Sequence, residues 1–327
     1  MEFGLMLEGL EFSRLHDAAQ AAEALGFDLL TFPDHFILEQ PGGGYDSSAL
    51  RYDAIVNAAV AAQATTRVKI GHMVLCNLFR HPAITAQSLL SLDHLSNGRL
   101  IAGLGAGWTA REFAMTGILF PSITTRLWML EEALAVIRDL WTKERTTFAG
   151  EFYNLREAVL SPKPLQKPCP PILVGGSGRG VLRIAARHAD IVNIIVELGR
   201  SGHLTFDAIG KLTADAFQQK VAFVREQASK AGRDPAALTI SSSIFAWSLV
   251  DSPSQARKEA AKLGALMGSS TLEVLGSPLF LFGTAEAMVG ELKRRAGEWG
   301  VSQFVFAAQD PDEIRRLAEQ VLVPLRT

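Results

Sequence analysis

The sequence predicts an α/β fold of the TIM (β/α)8 class, and three observations carry that prediction. Short apolar runs of strand length alternate with longer segments of helical spacing, the pattern of a parallel sheet covered by helices. Eight such strands can be counted, the number that closes a barrel. The 327 residues suit one large barrel, and no internal repeat of fixed period divides them, so a single barrel domain over residues 1–327 is expected.

Residues 2–7 read as the first strand. Leu15, Ala18, Ala19, Ala22 and Leu25 then mark one helix face, with Ser13 placed to cap its start and Gly26 its end. Residues 27–32 give the second strand, 52–65 a second helix and 68–75 a third strand whose apolar run suits burial on both faces. A helix over 84–95 ends at Asn97-Gly98, and 99–104 form the fourth strand before the turn Gly103-Leu104-Gly105-Ala106-Gly107-Trp108. The spacing of Leu127, Leu130, Leu134, Ile137 and Trp141 predicts a helix that lays one apolar stripe on the sheet.

Between 146 and 160 the run Thr-Thr-Phe-Ala-Gly-Glu-Phe-Tyr predicts a hairpin excursion after strand four, followed by a connection rich in proline. Residues 171–174, 189–194, 238–250 and 302–307 supply strands five to eight. The stretch between strands seven and eight exceeds one crossover. It holds a helix over 256–266, an extended apolar loop over 272–281 that is a candidate lid, and a helix over 285–299. A last helix near 312–321 covers the final strand.

Composition narrows the function classes. With 48% apolar and 20% charged residues, and 28 Gly and 14 Pro spread along the chain, disorder, collagen and coiled coil are excluded. The balance of 32 Lys+Arg against 34 Asp+Glu gives no general field for nucleic acid or an anionic membrane. Cys76 and Cys169 sit in neither a CxxC nor a Cys/His cluster, so neither a metal centre nor a disulfide framework is expected, and a reduced, cytoplasmic protein is the simplest reading. Met1-Glu2-Phe3-Gly4 lacks the basic and apolar regions of an export signal, and no apolar run approaches the roughly 18 residues of a membrane span.

The segment most informative about chemistry is Ile172-Leu173-Val174-Gly175-Gly176-Ser177-Gly178-Arg179-Gly180, where a buried strand runs into glycines and then a helix. Such a turn can direct free N–H groups and the positive end of the helix dipole at a phosphate, with Arg179 adding a charge-assisted bond. A plain strand-to-helix turn is the competing reading. Asp34-His35 falls just past the second strand, at the carboxyl end where a barrel carries its active site. An imidazole there can move a proton, or the pair can serve a structural hydrogen bond. Arg179, Arg183 and Arg187 form a row that would meet a polyanion or simply face solvent.

The ordered series Asp34-His35-Phe36, Asn97-Gly98-Arg99-Leu100, Gly103 to Trp108, Pro162-Lys163-Pro164-Leu165-Gln166 and Val174-Gly175-Gly176-Ser177-Gly178 resembles the bacterial luciferase-like monooxygenase superfamily, and tracks its branch that uses the deazaflavin F420. The resemblance implies a luciferase-like barrel with a flavin or F420 across the strand ends. It assigns His35 to the catalytic histidine at the reactive face and Gly175, Gly176, Ser177 and Gly178 to the phosphate loop. Met73 and Val74 match the pair beside the ring, joined by a cis peptide in many F420-using relatives, and Asp34, Gly107, Trp108, Val174 and Arg179 complete the expected cofactor set. In sugar-phosphate-oxidising relatives a carboxylic acid follows the fourth-strand Gly-x-Gly. Trp108 stands here instead, which removes the expected proton donor.

The leading expectation is therefore an F420-dependent oxidoreductase acting on a small organic substrate. The alternatives are an FMN-dependent monooxygenase using reduced flavin and O2, and a non-catalytic flavin- or partner-binding barrel. Lys163 and Lys167 are expected to help hold an anionic tail. The substrate pocket is expected from loops around 40–45, 197–205 and 269–281, and luciferase-like proteins tend to form homodimers.

Overall fold

The computed structural model describes residues 1–40, 44–197, 203–308 and 310–326. Its elements, in order, are β1 (Glu2–Met6), α1 (Phe12–Ala24), β2 (Leu29–Phe32), α2 (Ala54–Ala64), β3 (Lys69–His72), β4 (Leu75–Cys76), α3 (Pro82–Leu95), β5 (Leu100–Gly105), α4 (Ala110–Thr116) and α5 (Ile123–Thr142). There follow β6 (Thr146–Ala149), β7 (Asn154–Ala158), β8 (Ile172–Gly176), α6 (Arg179–His188), β9 (Ile191–Ile194), α7 (Phe206–Gly210), α8 (Ala214–Lys230) and β10 (Thr239–Ile244). The chain finishes with β11 (Ala246–Leu249), α9 (Pro253–Met267), α10 (Thr271–Gly276), β12 (Phe280–Gly283), α11 (Ala285–Trp299), β13 (Gln303–Ala307) and α12 (Pro311–Leu317).

Eight strands close the barrel in the order β1, β2, β3, β5, β8, β9, β10 and β13, every pair parallel and β13 returning to β1. Alternation along each strand divides the core in two. Phe3 and Leu5 of β1 belong, with Leu130, Leu134, Ile137 and Trp141 of α5, to the outer layer between strands and helices, and each fully buried Leu or Ile there contributes about 1.5–3 kcal/mol. Met6, Leu29, Ile101, Leu173, Ile191 and Val305 point inward and fill the bore together with Met73, Val74 and Ala307. At the amino-terminal end Glu2 pairs with Lys69 and accepts from Gln303 Nε2 at 3.1 Å, closing the bore with a small polar cluster.

The hairpin excursion is present as β6 and β7, pinned by Glu132 of α5, whose carboxylate accepts the amides of Glu151, Phe152 and Tyr153. Three expectations need correction. Helix α1 starts at Phe12 after Glu11, which makes no side-chain cap, so Ser13 lies inside the helix. The seventh strand is two: Phe245 leaves the barrel, donating its amide to Leu279 O at 2.9 Å, and β11 pairs with β12 in a separate parallel sheet. The loop over 272–281 is ordered as α10 and β12, because Ser270 and Glu273 form a capping box that starts a helix.

Arg295 anchors this segment. Fully buried on α11, it donates to the carbonyls of Ser277, Pro278 and Phe280 at 2.8–3.1 Å and pairs with Glu291. Among the described residues no helix is long and apolar enough to cross a membrane.

Candidate active site

The carboxyl ends of the strands gather the residues with chemistry. His35, three residues past β2, sets Nδ1 at 3.1 Å from both Oε1 and Oε2 of Glu112 on α4. Glu112 is buried and its Oε1 also accepts the amides of Phe36 at 2.7 Å and Ile37 at 3.1 Å. Because both carboxylate oxygens accept, the imidazole proton sits on Nδ1 and Nε2 is left for a reacting group. The Trp108 ring meets His35 edge-on, centroids 5.5 Å apart at 73°, and restricts the imidazole further.

Beside them β3 ends and the chain turns into the bore at Met73 and Val74, whose peptide is cis. Met73 Sδ accepts from Ser243 Oγ on β10 at 3.3 Å, reaching the opposite wall. Val74 is wedged between two strands that carry no side chain at its level. A methyl group at Gly105 would fall 2.6 Å from Val74 Cγ2, and one at Gly175 would fall 2.9 Å from Val74 Cγ1. The expected third strand is thus interrupted at this pair, and β4 resumes beyond it. Asn193, buried next to this floor, donates to Ser241 and Ser243 at 3.2 Å.

The turn after β8 has the geometry of an anion cradle. Val174 is buried in the barrel wall, and Gly178 caps α6 without a side-chain bond, leaving first-turn N–H groups available. The Ser177 hydroxyl is buried with no partner among the described residues. Lys220 of α8 donates to Ser177 O at 2.8 Å and pairs with Glu197 at the same distance. A flat floor, a histidine with one free nitrogen and an amide turn with an unpartnered hydroxyl fit a planar cofactor with an anionic tail.

Two expected cofactor residues are engaged elsewhere. Both Asp34 oxygens accept from Arg80, at 2.7 and 3.1 Å, and Oδ2 also takes the Cys76 amide, so Asp34 ties the β2 loop to the segment after β4. Burial opposes the charge on Arg80, yet Asp34 and Asp53 raise its pKa above the ordinary value. Arg179 is exposed, with its guanidinium 4.2 Å from the Phe223 ring centroid. The arginine row is consumed the same way, Arg183 on Gln227 and Arg187 on Glu131. Lys163 and Lys167 donate to backbone carbonyls, Lys163 at the last turn of α5, the end of that helix remote from the strand termini.

Gly107 holds φ at +74°, and a methyl group there would strike Cys76 Sγ at 2.8 Å. Burial pushes the Cys76 thiol up to about 12. His72 turns outward from β3, where burial, then the Arg80 charge, lower it to about 3. Of the expected pocket loops, residues 41–43 and 198–202 lie outside the described residues.

Four residues of the site were not expected: Glu112, Asn193, Lys220 and Ser243. For Glu112 the signal is present, a helix-borne acid following the glycine turn, and it puts a carboxylate in the site although Trp108 stands after the turn. Lys220 lies on α8, legible in the spacing of Phe217, Val221, Val224 and Ala228 after Thr213, which caps it through Ala216 N at 3.2 Å.

A closed parallel barrel that carries a carboxylate–imidazole pair and a glycine turn at the carboxyl ends of its strands has the layout of a TIM-barrel active site. Residues 2–298 match the luciferase-like monooxygenase family, and the chain belongs to it. It is 39% identical over 178 residues to an F420-dependent glucose-6-phosphate dehydrogenase of Kineococcus radiotolerans, covering 54% of this chain and 50% of that one. The chain spans about half the length of the curated relatives it matches first. Over its whole length the fold matches an F420-dependent secondary alcohol dehydrogenase in complex with an F420-acetone adduct, TM-score 0.79, 24% identity, 99% of that chain covered. It also matches a monooxygenase from Streptomyces bottropensis, TM-score 0.78, 23% identity, with both chains fully covered.

Proposed function

We propose that the protein is an F420-dependent oxidoreductase transferring a hydride between the deazaflavin and a small hydroxyl- or carbonyl-bearing substrate. The observation that carries this reading is the His35–Glu112 pair beside the Met73–Val74 floor. Likeness to F420-dependent dehydrogenases over half the chain supports it. When bound, F420 supplies the hydride donor or acceptor.

The chain's own residues supply position and proton. Glu112 fixes the Nδ1–H tautomer, so His35 Nε2 takes the hydroxyl proton as a carbonyl forms and returns it in the reverse direction. Met73 and Val74, with Gly107 and Trp108, are the residues that would hold the cofactor's ring. Val174 and Gly175 lead into the turn whose Gly176, Ser177 and Gly178, together with Lys220, would hold its anionic tail.

The family and the likeness to a monooxygenase favour FMN with O2 as the second reading. Titrating the protein with F420 and with FMN, followed by absorbance, tests the choice. At least about tenfold tighter F420 binding, equivalent to about 1.4 kcal/mol, is expected. Tighter FMN binding overturns the F420 reading, and tight binding without turnover on any alcohol or sugar phosphate would favour the binding-only barrel.

We further propose a homodimer. Helix α2 buries Ala54, Ala58, Ala61 and Ala62 yet also turns apolar Val56, 47% exposed, to solvent. A solution mass near twice 35.4 kDa is expected, and the mass of one chain would refute this. Two free thiols support a reduced, cytoplasmic setting, which cell fractionation tests.

A further inference from the structure

The amide turn after β8 carries an ion pair that the cofactor reading does not require. Glu197 sits beyond β9, and its Oε1 lies 3.5 Å from where a side chain at Gly178 would begin, so the carboxylate rests against the N-cap of α6. Its Oε2 pairs with Lys220 Nζ at 2.8 Å. The same ammonium donates to Ser177 O at 2.8 Å, and the adjoining Ser177 hydroxyl is buried and unpartnered. An internal carboxylate therefore occupies the neighbourhood of a helix start where an external anion would be bound.

The two partners differ in how firmly they are held. Lys220 is 20% exposed and fixed by a backbone carbonyl, whereas Glu197 is 55% exposed and has no other hydrogen bond among the described residues. Exposed pairs of this kind contribute little, and a phosphate offers more acceptor oxygens and more charge than a carboxylate.

We propose that Glu197 and Lys220 form an exchangeable pair in which Lys220 changes partner from the Glu197 carboxylate to the phosphate of the incoming cofactor, so that Glu197 competes with the ligand and sets its affinity. This rests on the reading of the turn as the cofactor's tail site. It gives Glu197 an unusual sign: removing its charge strengthens binding.

The experiment compares dissociation constants of F420 and FMN for wild type, Glu197→Gln and Lys220→Met across a salt series. Glu197→Gln should bind about three- to tenfold tighter at low salt, the gain shrinking as salt rises. Lys220→Met should bind about tenfold weaker with a shallower salt dependence. Glu197→Ala, which cannot replace the carboxylate's hydrogen bond, should share the gain of Glu197→Gln. Unchanged or weaker binding by both Glu197 variants overturns the exchange, because a pair that merely braces the turn predicts a loss. If FMN binds and F420 does not, the F420 reading falls while the variant comparison with FMN still decides the exchange. Binding of neither cofactor by any variant overturns both.

Discussion

His35 Nδ1 stands at equal distance, 3.1 Å, from the two oxygens of Glu112, a residue 77 positions further along the chain. One carboxylate thereby fixes a ring by a bond on each oxygen and fixes the loop bearing that ring through the Phe36 and Ile37 amides. Removing its charge releases the ring without deleting it. Glu112→Gln should lower kcat about 10- to 100-fold and shift the pH profile, while His35→Ala should cost about 100-fold or more. F420-linked turnover against pH checks this, and a Glu112→Gln enzyme with the wild-type profile would refute the orienting role.

The Val74 wedge makes a prediction in three variants. Gly175→Ala places a methyl group 2.9 Å from Val74 Cγ1, an overpacking that should destabilise the fold by about 1–3 kcal/mol and weaken cofactor binding. Val74→Ala in the same chain removes the colliding methyl groups and should recover much of the loss. Urea midpoints of the single and double variants read this directly, and additive losses would contradict the contact.

Asp34 and Arg80 form a doubly bonded pair with little exposure, 6% for Asp34 and 19% for Arg80. Asp34→Ala leaves the guanidinium half compensated by Asp53. A loss of about 3–5 kcal/mol is expected, as for other broken buried pairs. Equilibrium unfolding measures it, and a loss below about 1 kcal/mol would mean that the pair is solvated in solution.

His72 gives a pH dependence with a definite sign. Burial depresses it to about 3 from an ordinary 6.5, so between those values the unfolded chain takes up a proton that the folded chain refuses. Stability contributed by this residue is full above about pH 6.5 and falls on acidification. Moving from about pH 7.5 to about pH 5 should remove about 2 kcal/mol through His72 alone. A histidine-resolved NMR titration locates the transition, and an imidazole that protonates near pH 6 in the native protein would refute it.

The sequence disclosed the barrel well because its evidence is periodic. Leu130, Leu134, Ile137 and Trp141 announce α5 by spacing, and all four are buried in the core. His35, Val74 and Gly175 stand out in the sequence because each lies at or just past a strand end. What it hid depended on contacts between distant segments. Nothing local says that Glu112 meets His35, that Arg80 consumes both oxygens of Asp34, or that Phe223 rather than a phosphate receives Arg179. The split of the seventh strand was equally hidden, since Phe245 turns out only because Leu279 offers it a carbonyl.

Arg295 has a consequence for how this scaffold could diversify. By clamping three carbonyls after α10, it fixes one end of the rim segment, with left-handed Gly268 at the other end. Residues 269–276 therefore run between two fixed posts, with Val274 buried among them. Changes of sequence between the posts would vary the rim while the barrel strands stay as they are.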